Sequence, residues 1–135
     1  MSTECACRSE YLSGSRALVT ASGELDIRTC PQFQKAIAAA ARRDAEHLLV
    51  DLSTVTFMDS SALGVLAAEQ RRRSEPVHLI VQERRLLRLL EVTGFISVFA
   101  VHSSLEEALL RTGRLQAERA RPVDLTSAPE SSVRP

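Results

Sequence analysis

The sequence predicts an α/β domain in which helices pack against a mixed, mostly parallel β-sheet. Three observations lead there. Short apolar stretches alternate with longer amphipathic ones along most of the chain, and helices lying between strands act as crossovers that favour parallel pairing. The first two strand-like stretches instead follow one another across a glycine, which adds antiparallel pairing. A length of 135 residues suits one small core that needs neither metal nor disulfide.

"RALVTA", residues 16–21, is short and rich in strand formers, and "SGELDI" follows with Leu25 and Ile27 alternating against Glu24 and Asp26. With a turn at Gly23, the two read as a hairpin or as two loosely paired strands. Pro31 fits the first turn of a helix, where its missing amide needs no partner. Phe33, Ala36, Ile37 and Ala40 then recur at helical spacing as far as Arg43.

"HLLVDLS" is continuously apolar, as expected of a central strand covered on both faces. "SSALGVLAAEQRRR" carries Leu63, Leu66 and Ala67 on one face. It ends in Arg71, Arg72 and Arg73, read as solvated cations at the carbonyl end of a helix, and Pro76 stops it. "VHLIV" is a further strand, and "ERRLLRLLEVTG" a helix with Leu86, Leu87, Leu89 and Leu90 inward and Gly94 past its end. "SVFAV" is the last strand. "SSLEEALLRTGRLQAE" opens the terminal helix with a capping-box pattern, Ser103 or Ser104 followed three residues later by Glu106 or Glu107. The boundaries expected are a flexible N-terminal segment over residues 1–14, the domain over 15–117, and a proline- and serine-rich tail over 118–135 that is too poor in core residues to fold.

Lysine plus arginine and aspartate plus glutamate both number 17, so the strong basic field of most nucleic-acid binders is missing and no nucleic-acid partner is expected. Cys5, Cys7 and Cys30 are odd in number and read as free thiols of a reducing compartment. The Cys5–Cys7 pair has no second pair, and His47, His78 and His102 lie far apart in sequence, so no metal site is expected. The N-terminal residues lack the apolar core of a signal peptide and no run is long enough to span a membrane, which predicts a soluble, cytoplasmic protein without a membrane partner.

The stretch that carries the functional question is "TFMDSSALGVLAAEQ", where a strand turns into a helix at Asp59, Ser60 and Ser61. One reading makes Asp59 or Ser60 a helix cap. The other keeps the cap and adds that an exposed hydroxyl at a helix N-terminus suits a phosphate, whose charge meets free amides and the positive end of the dipole. A hydrolase elbow needs small residues two places either side of its serine. Met58 and Ala62 flank Ser60, while Asp59 and Leu63 flank Ser61, so neither fits. No phosphate-binding G-x-x-x-x-G-K-[ST] loop occurs. No enzyme activity, catalytic residue or cofactor is expected.

"DLSTVTFMDSSALGVL", preceded by "SGELDI" and followed by "LLRLLEVTGFISVFAVHSSLEEAL", resembles the STAS domain of bacterial anti-sigma-factor antagonists across Arg16 to Leu115. The resemblance implies a single STAS-like domain with phosphorylation at Ser60, beside Asp59 and Ser61. It implies a partner-binding surface that includes Asp59, Ser60, Ser61, Ala62, Gly64, Glu24 and Asp26. The unphosphorylated domain would bind an anti-sigma factor, itself a serine kinase of the histidine-kinase-like ATPase fold, and so free a sigma factor. A metal-dependent serine phosphatase would remove the phosphate. The family usually carries glycine where Ala62 stands, and if a kinase backbone must approach closely there, the added methyl would slow phosphorylation or alter partner choice. The alternative in the same family is a non-phosphorylated accessory or scaffold subunit, such as a lipid-transporter component or part of a sensory assembly.

Overall fold

The computed structural model describes residues 5–120. Five strands form one sheet in the order β1-β2-β3-β4-β5: β1 (Ala6–Leu12), β2 (Arg16–Leu25), β3 (His47–Met58), β4 (His78–Ile80) and β5 (Ala100–His102). β1 and β2 are antiparallel, and every other pairing is parallel. The crossovers are α1 (Cys30–Ala41) after β2, α2 (Ser60–Arg71) after β3 and α3 (Arg84–Thr93) after β4, and α4 (Leu105–Ala120) follows β5.

The alternation along β3 explains the layers, because successive side chains of a strand point to opposite faces. Leu48, Val50 and Leu52 join Phe33, Ile37, Ala62, Leu63, Leu66, Leu86 and Leu90 in the main core, under α1, α2 and α3. Leu49 faces the other way and packs with Leu18, Ile80 and Ala108 under α4. β3 is therefore the buried central strand that its apolar run predicts.

Four expectations need correction. Residues 6–12 are not a flexible lead-in. They are edge strand β1, joined to β2 by a turn in which Gly14 and Ser15 take positive φ. The antiparallel pair is thus β1–β2. The "RALVTA" and "SGELDI" stretches are one strand passing through Gly23, where a register shift against β3 absorbs its positive φ. Phe95–Ser97 is a single 3₁₀ turn, so the last strand begins later than its sequence suggests. Residues 118–120 belong to α4, and the rest of the predicted tail lies outside the described residues.

The end of α2 also differs from its prediction. Arg73 is not a solvated cation. Its side chain is 13% exposed and its Nε lies 2.8 Å from Oε2 of Glu69, itself 6% exposed, while Nη1 reaches the carbonyl of Ala45 at 3.3 Å. The pair fastens the end of α2 to the loop before β3. Gly94, in the left-handed region at φ 82°, ends α3 as predicted. The terminal helix is capped by Ser104, whose Oγ accepts from the Glu107 amide at 3.0 Å, while Glu107 reaches back to the Ser103 amide at 2.9 Å.

The histidines that are remote in sequence meet on the α4 side of the sheet. Nδ1 of His78 and Nε2 of His102 are 3.0 Å apart, sharing one proton between neutral rings, and His47 lies edge-on with its ring centroid 6.0 Å from that of His78. Among the described residues no group of three metal-ligating side chains is arranged to hold a metal ion. Burial, then the nearby His102, His47 and Arg111, push the His78 ring down to about 4, against a smaller opposing pull from Glu75. Burial likewise lowers His102, although Glu107 pulls the other way. A pH-dependent stability follows from these shifts. An unfolded ring takes up its proton near pH 6.5 but the folded His78 only near 4, so the contribution is intact above about 6.5 and is lost as pH falls towards 4. After allowance for solvent screening the loss is about 2 kcal/mol. Denaturant midpoints measured from pH 7.5 to 4.5 are expected to fall, and to fall less steeply in His78→Asn.

Candidate functional site

β3 ends at Met58 and α2 starts at Ser60, leaving Asp59 as the hinge, with an extended backbone at φ −112° and ψ −173°. That geometry aims its side chain back over the first turn. Oδ1 accepts from the Ser61 amide at 2.9 Å, so Asp59, rather than Ser60, is the cap. The Asp59 amide donates to the Leu25 carbonyl at 3.1 Å, tying the corner to the end of β2.

With the cap supplied by Asp59, Ser60 occupies the first helical position with an exposed side chain, and Ser61 beside it is half-buried. The Ser61 carbonyl faces Sγ of Cys30 on α1 at 3.6 Å. Burial, and then the Asp59 charge, raise the Cys30 thiol above its ordinary range. The corner therefore combines an exposed hydroxyl, a carboxylate and the positive end of a helix.

The remaining predicted site residues divide. Ala62 is fully buried in the main core, so it cannot touch a partner and its methyl cannot obstruct one. The family glycine is replaced at a position that points inward. Gly64 is exposed, and a methyl added there would meet nothing within 4 Å. Gly64→Ala is accordingly expected to stabilise the domain by about 0.5–1 kcal/mol, read as a raised denaturant midpoint. Glu24 lies near the end of β2, half-buried and in register with Phe57. Asp26 turns inward on its own loop: Oδ1 accepts from the amides of Arg28 at 2.9 Å and Thr29 at 3.1 Å, leading the chain into α1. The Thr29 amide, more than the neighbouring Arg28, holds the Asp26 carboxyl below the usual range. Its role in the structure is to close that turn.

Two apolar side chains are exposed at this end of the sheet, and one of them, Ile27, is expected from the sequence alternation on the same face as the buried Leu25. Ile27, two residues past β2, is 73% exposed, and Phe57, three residues before Ser60, is 45% exposed. Phe57 stands at an outward position near the end of β3, whereas the alternation that pairs Ile27 with Leu25 breaks because β2 ends at Leu25.

The comparisons agree with this architecture. The family model described as "Mlab, STAS domain" matches residues 10–111. The anti-sigma-F factor antagonist RsfA of Mycobacterium tuberculosis is 35% identical over 103 residues, which are 73% of this chain and 80% of that protein. The crystal structure of an anti-sigma factor antagonist from Mycobacterium paratuberculosis superposes with a TM-score of 0.76 at 26% identity, over 83% of this chain and 97% of that one. The anti-sigma factor antagonist SpoIIAA in its unphosphorylated form gives a TM-score of 0.63 at 18% identity, covering 81% and 98% of the two chains. On these matches the chain belongs to the STAS-domain family, which includes bacterial anti-sigma-factor antagonists.

Proposed function

We propose that the protein is an anti-sigma-factor antagonist whose Ser60 corner binds an anti-sigma factor while unphosphorylated and is switched off by phosphorylation at Ser60. The observation that carries this reading is the division of labour at the corner: Asp59 alone supplies the cap, leaving the Ser60 hydroxyl exposed for chemistry. The exposed Ile27 and Phe57 nearby provide apolar surface for a partner, and Glu24 and Asp59 provide charge. The partner would be a serine kinase of the histidine-kinase-like ATPase fold, with a metal-dependent serine phosphatase acting in reverse.

A phosphoserine adds about −1.5 to −2 charge at neutral pH, next to a carboxylate already held in place. An interface that must desolvate both is strongly disfavoured. Peptide mass spectrometry after incubation with ATP and the candidate kinases of the host tests the reading, with phosphate on Ser60 as the expected result. A stable complex with one of those kinases and no phosphate on Ser60 would instead identify a non-phosphorylated accessory or scaffold subunit.

A further inference from the structure

The two edges of the sheet are unlike. β5 offers three residues, whereas β1 offers seven, paired to β2 without a single register shift. No proline or bulge blunts the long edge, although these are common protections against edge pairing. Its free hydrogen-bonding groups can be located from the sheet. The His47 amide bonds to the Ser15 carbonyl, so in the parallel ladder Arg16, Leu18, Thr20 and Ser22 turn their backbone groups towards β1. Their partners Leu12, Glu10, Arg8 and Ala6 are thereby satisfied. Cys7, Ser9 and Tyr11 point their N–H and C=O groups away from the sheet.

We propose that β1 pairs antiparallel with β1 of a second copy about a two-fold axis through Ser9, joining two five-stranded sheets into one. The register centred on Ser9 uses all seven residues. It sets Arg8 directly opposite Glu10 of the other copy, twice, in the non-hydrogen-bonded positions where cross-strand side chains come closest. Both residues are exposed and neither forms an ion pair among the described residues. They share the α4 face of the sheet with Leu12 and Leu18, and while Leu12 packs against the cluster under α4, Arg8 and Glu10 stay exposed.

The opposite face admits the second copy as well. α1 lies across both β1 and β2, so the two α1 helices would sit about two strand spacings apart, roughly 9.6 Å, within the usual range for packed helices of about 8–10 Å. Lys35 of α1 lines the same groove as Ser9. Its two copies approach the axis and weaken the association, which is expected to be in the micromolar range. Ser60, at the far end of β3, stays clear of the contact.

Sedimentation velocity of the full chain over about 1–300 µM tests the interface, with a monomer–dimer equilibrium expected. Arg8→Glu and Glu10→Arg each place like charges across the axis and should raise the dimer dissociation constant at least tenfold. Mixed one to one, the two variants should form a heterodimer, because one then carries glutamate at both positions and the other arginine at both, so that opposite charges face each other in both pairs. Circular dichroism establishes that each variant is folded, as expected for exposed positions. A wild-type chain that remains monomeric up to 300 µM, or a dimer indifferent to both reversals, would overturn the proposal.

Discussion

Ser60→Asp is expected to bind the anti-sigma partner more than a hundredfold more weakly than Ser60→Ala. The alanine variant removes only a hydroxyl that caps nothing, since Asp59 already satisfies the Ser61 amide. The helix and the partner surface should both survive, giving permanent binding. The aspartate variant puts a second carboxylate beside Asp59, and a cost of about 3 kcal/mol for burying it in the interface corresponds to that factor at about 1.4 kcal/mol per tenfold. Titration calorimetry of both variants against the same partner measures the ratio. Equal affinities would remove charge as the basis of the switch.

The second large effect concerns the fold. Glu69→Ala is expected to destabilise the domain by about 3 kcal/mol, because it leaves the Arg73 guanidinium largely enclosed and without its carboxylate. Arg73 keeps only its bond to the Ala45 carbonyl. Changing both residues together, Glu69→Leu with Arg73→Met, is expected to recover most of the loss, since the unpaired charge rather than the missing ion pair is what costs stability. Urea unfolding of the single and double variants separates these terms. Equal losses in the two would show that packing, not charge, dominates there.

The parts of the fold that can be read from the sequence are those in which one physical signal dominates. β3 opens on the apolar run Leu48–Leu52 broken only by Asp51, α3 ends at a glycine that adopts positive φ, and Ser104 and Glu107 pair at the helix start as their spacing announces. β1 is hidden because an edge strand needs only half its side chains apolar, and "ACRSEYL" alternates weakly between cysteine, serine, tyrosine and charge. The continuity of β2 is hidden because Gly23 signals a turn locally, while the pairing with β3 on either side of it holds the strand together.

At the site, residue type and order place a cap at Asp59 or Ser60, and the bond from the Ser61 amide to Asp59 Oδ1 decides between them, leaving Ser60 exposed. The inward direction of Ala62 follows from its helical spacing to Leu66 and Glu69, which are also buried, but a charged residue within that set obscures the pattern. The histidine cluster has no sequence signature, because parallel strands bring together residues separated by a whole crossover. Asp26 is a related case: its acidity suggests a partner, while its contacts are taken up in closing a turn.

The hydrogen bond from the Asp59 amide to the Leu25 carbonyl reaches beyond local geometry. It makes the last rung of the β2–β3 ladder and the first turn of α2 a single opening unit, so the amide proton of Asp59 can exchange with solvent only when the strand ends part. Deuterium uptake at that one amide thus reports on the free energy holding the Ser60 corner in shape, and the same protection keeps its backbone preorganised before any partner arrives.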